Sequence, residues 1–157
     1  MKRFLIVPAA LLFTSLGPFG AQAQQPASMT PGQVARLPFT NGLPIGDSLY
    51  VSGHLGVDPA VGKPSDDPEE EARKVLESVE GTLKQGGMSM DDLVYVEIFC
   101  TDLKLYTAFN KVYGAMFRKT YPARAFIGVK ELLFGAHFEV MGIAVKNAAQ
   151  GKKTLAP

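Results

Sequence analysis

Apolar and polar residues alternate in short bursts along most of this chain, and in two stretches the rhythm changes to a helical period. In Leu93-Val94-Tyr95-Val96-Glu97-Ile98-Phe99-Cys100, the residues Val94, Val96, Ile98 and Cys100 share one side at period two, which predicts a strand. The run from Ala136 to Val145 predicts another, and Tyr121 to Val129 a third behind a stiff Pro122-Ala123 lead-in. Nearer the N-terminus, Ser48 to Gly53 reads as a strand. Val34 to Thr40, interrupted by Pro38, reads as the strand before it, with Asn41-Gly42 as the turn of a hairpin.

Two stretches carry the helical period. Asp67 is placed to cap a helix that starts at Pro68, with Glu69, Glu70 and Glu71 in the first turn, where the helix N-terminus favours negative charge. Ala72, Val75, Leu76, Val79 and Leu83 form its apolar stripe, and Gly86-Gly87 ends it. Leu103 to Lys119 predicts the second helix, with Tyr106, Phe109, Tyr113, Met116 and Phe117 on a stripe that reads as core. The order strand, strand, helix, strand, helix, strand, strand implies a single α+β domain, a mixed sheet with two helices packed on one face. Val96, Ile98, Phe138, Val140, Met141, Ile143 and Val145 supply apolar side chains to both sheet faces, and two helices cover only one. A second apolar face calls for another subunit.

The ends of the chain differ from its centre. Met1-Lys2-Arg3, an apolar core from Phe4 to Leu16 and the Ala21-Gln22-Ala23 site have the three parts of a secretory signal peptide, with cleavage expected after Ala23. Residues 24–33 read as a flexible linker, 34–148 as the folded domain and 149–157 as a polar C-terminal tail. Cleavage removes two of the 16 basic residues and none of the 15 acidic ones, so the mature charge is −1 and no basic surplus points to nucleic acid. The expected location is periplasmic or secreted, with no membrane association after cleavage. Cys100 is the only cysteine, so no intrachain disulfide can form, and its strand position makes it a small buried residue before a nucleophile.

Candidate chemistry is sparse. No glycine-rich phosphate loop opens a helix, and there is no nucleophile elbow. His54, His137 and Glu139 lack a tight two-histidine spacing, and they read as structural residues before metal ligands, so no metal site is assigned. What remains is Arg124 at the mouth of one strand and Glu139 inside the next. A guanidinium is a planar, permanently charged fork that fits a carboxylate with paired hydrogen bonds, and a carboxylate can act on a water.

Five segments in order carry a family resemblance. Pro38-Phe39-Thr40-Asn41-Gly42, Val51-Ser52-Gly53-His54, Asn110-Lys111-Val112-Tyr113, Pro122-Ala123-Arg124 and Phe138-Glu139-Val140 together resemble the signature of the reactive intermediate deaminase (Rid, or YjgF) family across Val34 to Val145. The resemblance implies a fold like trimeric chorismate mutase, a homotrimer with sites in clefts between subunits, and hydrolysis of small 2-imino or enamine acids without metal or organic cofactor. It implies that Arg124 holds the substrate carboxylate and Glu139 positions the hydrolytic water, with Phe39, Ser52, Gly53, Asn110 and Phe126 as substrate-binding positions. Three positions depart from the family pattern: Phe39 stands for tyrosine, Phe126 for cysteine or another small residue, and Leu133 for proline. The alternative reading is a non-catalytic trimer that binds a small carboxylate or a protein. A weaker one, resting on methionines and general apolarity, is a holdase-like surface protein.

Overall fold

The computed structural model describes residues 38–155. The expected signal peptide, the linker, residues 34–37 of the expected first strand and the last two residues of the tail lie outside them. Seven strands appear in chain order: β1 (Gly42–Ile45), β2 (Ser48–Leu55), β3 (Val57–Asp58), β4 (Lys63–Pro64), β5 (Leu93–Cys100), β6 (Ala123–Gly128) and β7 (Phe138–Val145). The helices are α1 (Pro68–Gln85), α2 (Tyr106–Ala115) and the short α3 (Ala148–Gly151). Five strands form one sheet in the order β1-β2-β7-β5-β6, and β3 and β4 make a separate small ribbon. Only β5 and β6 run parallel, bridged by α2, so the sheet is mixed and the fold is α+β as the element order predicts.

Helix α1 follows local chemistry closely. Asp67 Oδ1 accepts the Glu69 N–H at 2.9 Å, Pro68 opens the helix, and the stripe Ala72, Val75, Leu76, Val79 and Leu83 is buried against the sheet. The expected second helix is shorter than its pattern. Residues 103–105 form a 3-10 turn, and α2 stops at Ala115. Beyond it the Arg118 and Lys119 N–H groups donate to Asp91 Oδ1 at 3.0 and 3.2 Å instead of continuing the helix.

The N-terminal hairpin forms, but in a different register. Residues 38–41 precede β1 as bends and coil, and Gly42 belongs to the strand. The turn lies at Gly46-Asp47, where Ile45 pairs with Ser48 and Gly46 takes a φ of 58°, a value that suits glycine at the first central turn position. Gly42 is held in the strand by close approach: a Cβ there would stand 2.8 Å from Thr82 Cγ2 on α1.

Strand pairing decides which side chains share a face. Val96 opposes Arg124 and Ile98 opposes both Phe126 and Val140, so these point toward α1 and α2. Phe99 opposes both Glu139 and Ile127, and Tyr50 opposes both Leu43 and Ile143, on the other face. That second face carries the exposed apolar side chains of Leu43, Ile45, Tyr50, Ile127 and Met141. It is the uncovered face anticipated from the strand pattern.

One first-turn acid of α1 does more than complement the helix dipole. Glu71 is fully buried, and its Oε1 accepts the N–H groups of His137 at 2.6 Å and Phe138 at 3.0 Å, while Oε2 pairs with His137 Nδ1 at 2.6 Å. It clamps the start of β7 to the start of α1. Glu69 bonds Lys111 of α2, so of the three glutamates two are surface charges and one is an interior anchor.

Candidate functional site

The parallel β5–β6 pair and α2 build one half of the candidate site. On α2, Tyr106, Asn110 and Tyr113 recur at helical spacing and face β6. Arg124, near the start of β6, donates from Nη1 to Asn110 Oδ1 at 2.7 Å and from Nη2 to the Tyr106 hydroxyl at 3.3 Å. Its Cζ lies 4.8 Å from the centroid of the Tyr113 ring and 5.8 Å from those of Tyr106 and Phe126. Aromatic faces and two acceptors hold the guanidinium in place and leave part of its donor set free. Beside it lies a cleft of about 360 Å³, lined by Asn110, Tyr113, Gly114, Tyr121, Pro122 and Arg124. Burial pushes the Tyr113 hydroxyl up to about 12, against the lowering influence of Arg124, so it stays a neutral phenol.

Phe126 shares this face, as its place two residues after Arg124 implies, and packs edge-on against Tyr106 and Phe109 at 5.0 and 5.6 Å. Tyr106 departs from the core reading of its stripe: it is exposed and serves Arg124, whereas Phe109 and Tyr113 are buried. The signal was available in the spacing of Tyr106, Asn110 and Tyr113, which an apolar stripe alone conceals.

The second half lies where β2 meets β7. The register shifts between Val51 and His54, so that Ser52 and Gly53 form a bulge opposite β7. Glu139 folds over that bulge, and a methyl group on Gly53 would overlap its Oε1 and stand 2.9 Å from its Cδ. Asn41 O accepts both the Ser52 N–H at 3.0 Å and the Ser52 hydroxyl at 3.1 Å, which ties the Phe39 segment to the same corner. Phe39 itself is 57% exposed. Burial raises the Glu139 carboxyl above the ordinary carboxylate range, with His54 pulling the other way. His54 Nδ1 pairs with Ser52 O and its Nε2 with the Thr82 hydroxyl, each at 2.8 Å, an assignment sequence reasoning did not reach.

The two halves do not meet within one chain. Arg124 points to the helix side of β6 and Glu139 to the open side of β7, so Arg124, Asn110 and Phe126 form one group and Phe39, Ser52, Gly53 and Glu139 another. Among the described residues no three His, Cys, Asp or Glu side chains gather as a metal site, and no helix is long and apolar enough to cross a membrane. Cys100 is fully buried with its thiol pushed up by desolvation, which fits a packing role.

An arginine cleft on α2 and β6 and a half-buried glutamate over a strand bulge are the chemical features of this small α+β protein. The family model described as endoribonuclease L-PSP matches residues 30–146, and the chain belongs to this family. A RutC family protein of Saccharolobus solfataricus is 35% identical over 114 residues, covering 70% of this chain and 88% of that protein. The 2-iminobutanoate/2-iminopropanoate deaminase of Salmonella typhimurium is 31% identical over 113 residues, again 70% and 88%. The crystal structure of Escherichia coli TdcF with bound serine superposes with a TM-score of 0.67 at 31% identity, over 70% of this chain and 89% of that one. Family and relatives point to reactive-intermediate deaminase chemistry.

Proposed function

We propose that this protein hydrolyses small 2-imino or enamine acids, of the 2-iminopropanoate or 2-iminobutanoate type, to 2-oxo acids and ammonia. The observation that carries the reading is Arg124, fixed by Asn110, by the Tyr106 hydroxyl and by the rings of Tyr106, Tyr113 and Phe126, beside an open cleft with donors to spare. That is a receptor for a carboxylate, the group common to every 2-imino acid and to serine. A protonated imine carbon is already electrophilic, so the protein has to hold the acid, aim a water and take a proton. Water adds to the imine carbon as Glu139 accepts its proton. The carbinolamine nitrogen then takes that proton back from Glu139, and ammonia leaves as the C–N bond breaks and the hydroxyl, giving its proton to solvent, becomes the C=O. The chemistry itself calls for no cofactor. A carboxyl raised by burial suits this exchange, because it is more basic than an exposed one.

This reading needs two copies in contact, since one chain turns Arg124 and Glu139 to opposite sides of its sheet. A closed homotrimer, in which the Arg124 cleft of one copy meets the Glu139 corner of the next, would also cover the exposed apolar sheet face. Light scattering of the mature protein is expected to give about three times the chain mass, and a monomer at micromolar concentration defeats the shared site. We also propose export with cleavage between Ala23 and Gln24; N-terminal sequencing of protein from its own host checks it, and an intact Met1 refutes it.

The deciding experiment offers 2-iminobutanoate, generated in situ, to the mature protein and to Arg124→Lys and Glu139→Gln. Arg124→Lys keeps the charge but loses the fork and is expected to weaken binding by about 1.5–3 kcal/mol. Glu139→Gln is expected to keep binding and lose turnover by about 10²–10⁴-fold. Ligand binding without turnover in the parent would identify a binding trimer instead, and an Arg124→Lys variant equal to the parent would remove the site.

A further inference from the structure

Tyr113 is the one described residue with a buried side-chain polar atom that has no hydrogen-bond partner. It is only 4% exposed, lines the Arg124 cleft, and has its ring under the guanidinium at 4.8 Å. An orphaned buried hydroxyl costs stability, and replacing it with hydrogen removes only one packed atom, so phenylalanine would serve the core at least as well. Tyr113 packs among Phe109, Phe117 and Tyr121; Tyr121 bonds its hydroxyl to Gly114 O, whereas the Tyr113 hydroxyl has no partner. Over it lies Tyr121, nearly parallel to Tyr113 with ring centroids 6.4 Å apart, 57% exposed, and tethered by one long hydrogen bond of 3.4 Å to Gly114 O. It also meets Phe117 edge-on at 5.5 Å, and an exposed side chain with these few contacts can change rotamer on the ps–ns timescale.

We propose that Tyr113 is a ligand-binding residue, whose hydroxyl waits unpartnered beneath Tyr121 and donates to the carboxylate seated on Arg124 once Tyr121 turns aside. The ligand class is a small 2-oxo or 2-imino carboxylate, recognised by a guanidinium and a neutral phenol from adjacent elements. The inference rests on the carboxylate-binding part of the function proposed above, not on hydrolysis. Hydroxyl donation adds a directional contact that charge alone does not supply, and a bond to a charged acceptor is among the stronger kinds.

The test compares the parent with Tyr113→Phe, a change of one oxygen, using 2-oxobutanoate as a non-reacting probe. Calorimetry is expected to show a Kd about tenfold weaker, equivalent to about 1.4 kcal/mol. In the same variant, the melting temperature of the free protein is expected to be unchanged or higher, because an unpaired buried hydroxyl has been removed. A purely structural tyrosine would move these differently: a Kd within twofold of the parent overturns the proposal. So does a fall in the free protein's melting temperature, which would mean the hydroxyl already has a partner in the assembly, and so does a parent that does not bind the probe. If the parent binds 2-oxobutanoate and the variant does not, while neither hydrolyses an imino acid, the deaminase reading fails and this one stands.

Discussion

Gly53→Ala separates the chemistry of Glu139 from its contribution to the fold. Gly53 has no positive φ, so alanine is allowed by the backbone, and the only obstacle is the carboxylate lying where the methyl would go. The new Cβ would stand 2.9 Å from Glu139 Cδ and closer still to Oε1, against about 3.5–4.0 Å for two carbons in contact. Glu139 must therefore swing by about 1 Å or more at its tip. The end of a flexible side chain can do this at small cost, so the melting temperature should change little. Catalysis is less forgiving, since a misplacement of about 1 Å can cost on the order of 10²-fold in rate. We expect kcat for 2-iminobutanoate to fall by about that factor, with 2-oxobutanoate binding by the Arg124 cleft retained. Ammonia release, thermal unfolding and calorimetry measure the three quantities. Full activity in a folded Gly53→Ala would show that the position of Glu139 over the bulge does not matter, and would remove it as the group that aims the water.

Three further outcomes follow from the same geometry. Burial raises the Glu139 carboxyl, so its active, ionised form is lost as pH falls through a value above the ordinary carboxylate range; the acid limb of the kcat profile should lie there and vanish in Glu139→Gln. The same sign makes ionised Glu139 a cost to the fold above that value, so Glu139→Gln should be no less stable than the parent at neutral pH. Phe39→Tyr adds a phenol beside the Ser52 corner and should raise activity by a few-fold to about tenfold, a hydrogen bond contributing about 0.5–1.5 kcal/mol; unchanged turnover in folded protein places residue 39 outside the site. Glu71→Ala orphans the buried N–H groups of His137 and Phe138 and should lower unfolding free energy in urea by about 2–5 kcal/mol, more than Glu71→Gln, which keeps an acceptor oxygen; a loss below about 1 kcal/mol contradicts the clamp.

By itself the sequence determined the elements whose causes are local. The cap at Asp67, the stripe from Ala72 to Leu83 and the alternation through β5 each depend on residues within a turn or two of one another, and the structure forms them there. The uncovered apolar face could also be read, because alternating strands outnumber the helix stripes available to cover them. Two turn signals lie close together at Asn41-Gly42 and Gly46-Asp47, however, and neither shows which one the chain uses. The structure turns at Gly46, while Gly42 serves a close approach to Thr82, a residue of α1 that local pattern cannot connect to it. Glu71 looks like its neighbours until β7 arrives from 66 residues away with two N–H groups to satisfy. Likewise, family resemblance marked Arg124 and Glu139, and period two told which side of its own strand each occupies. Relating the sides of two strands takes their register through β5, and that is a property of the folded sheet, which turns the two residues to opposite faces.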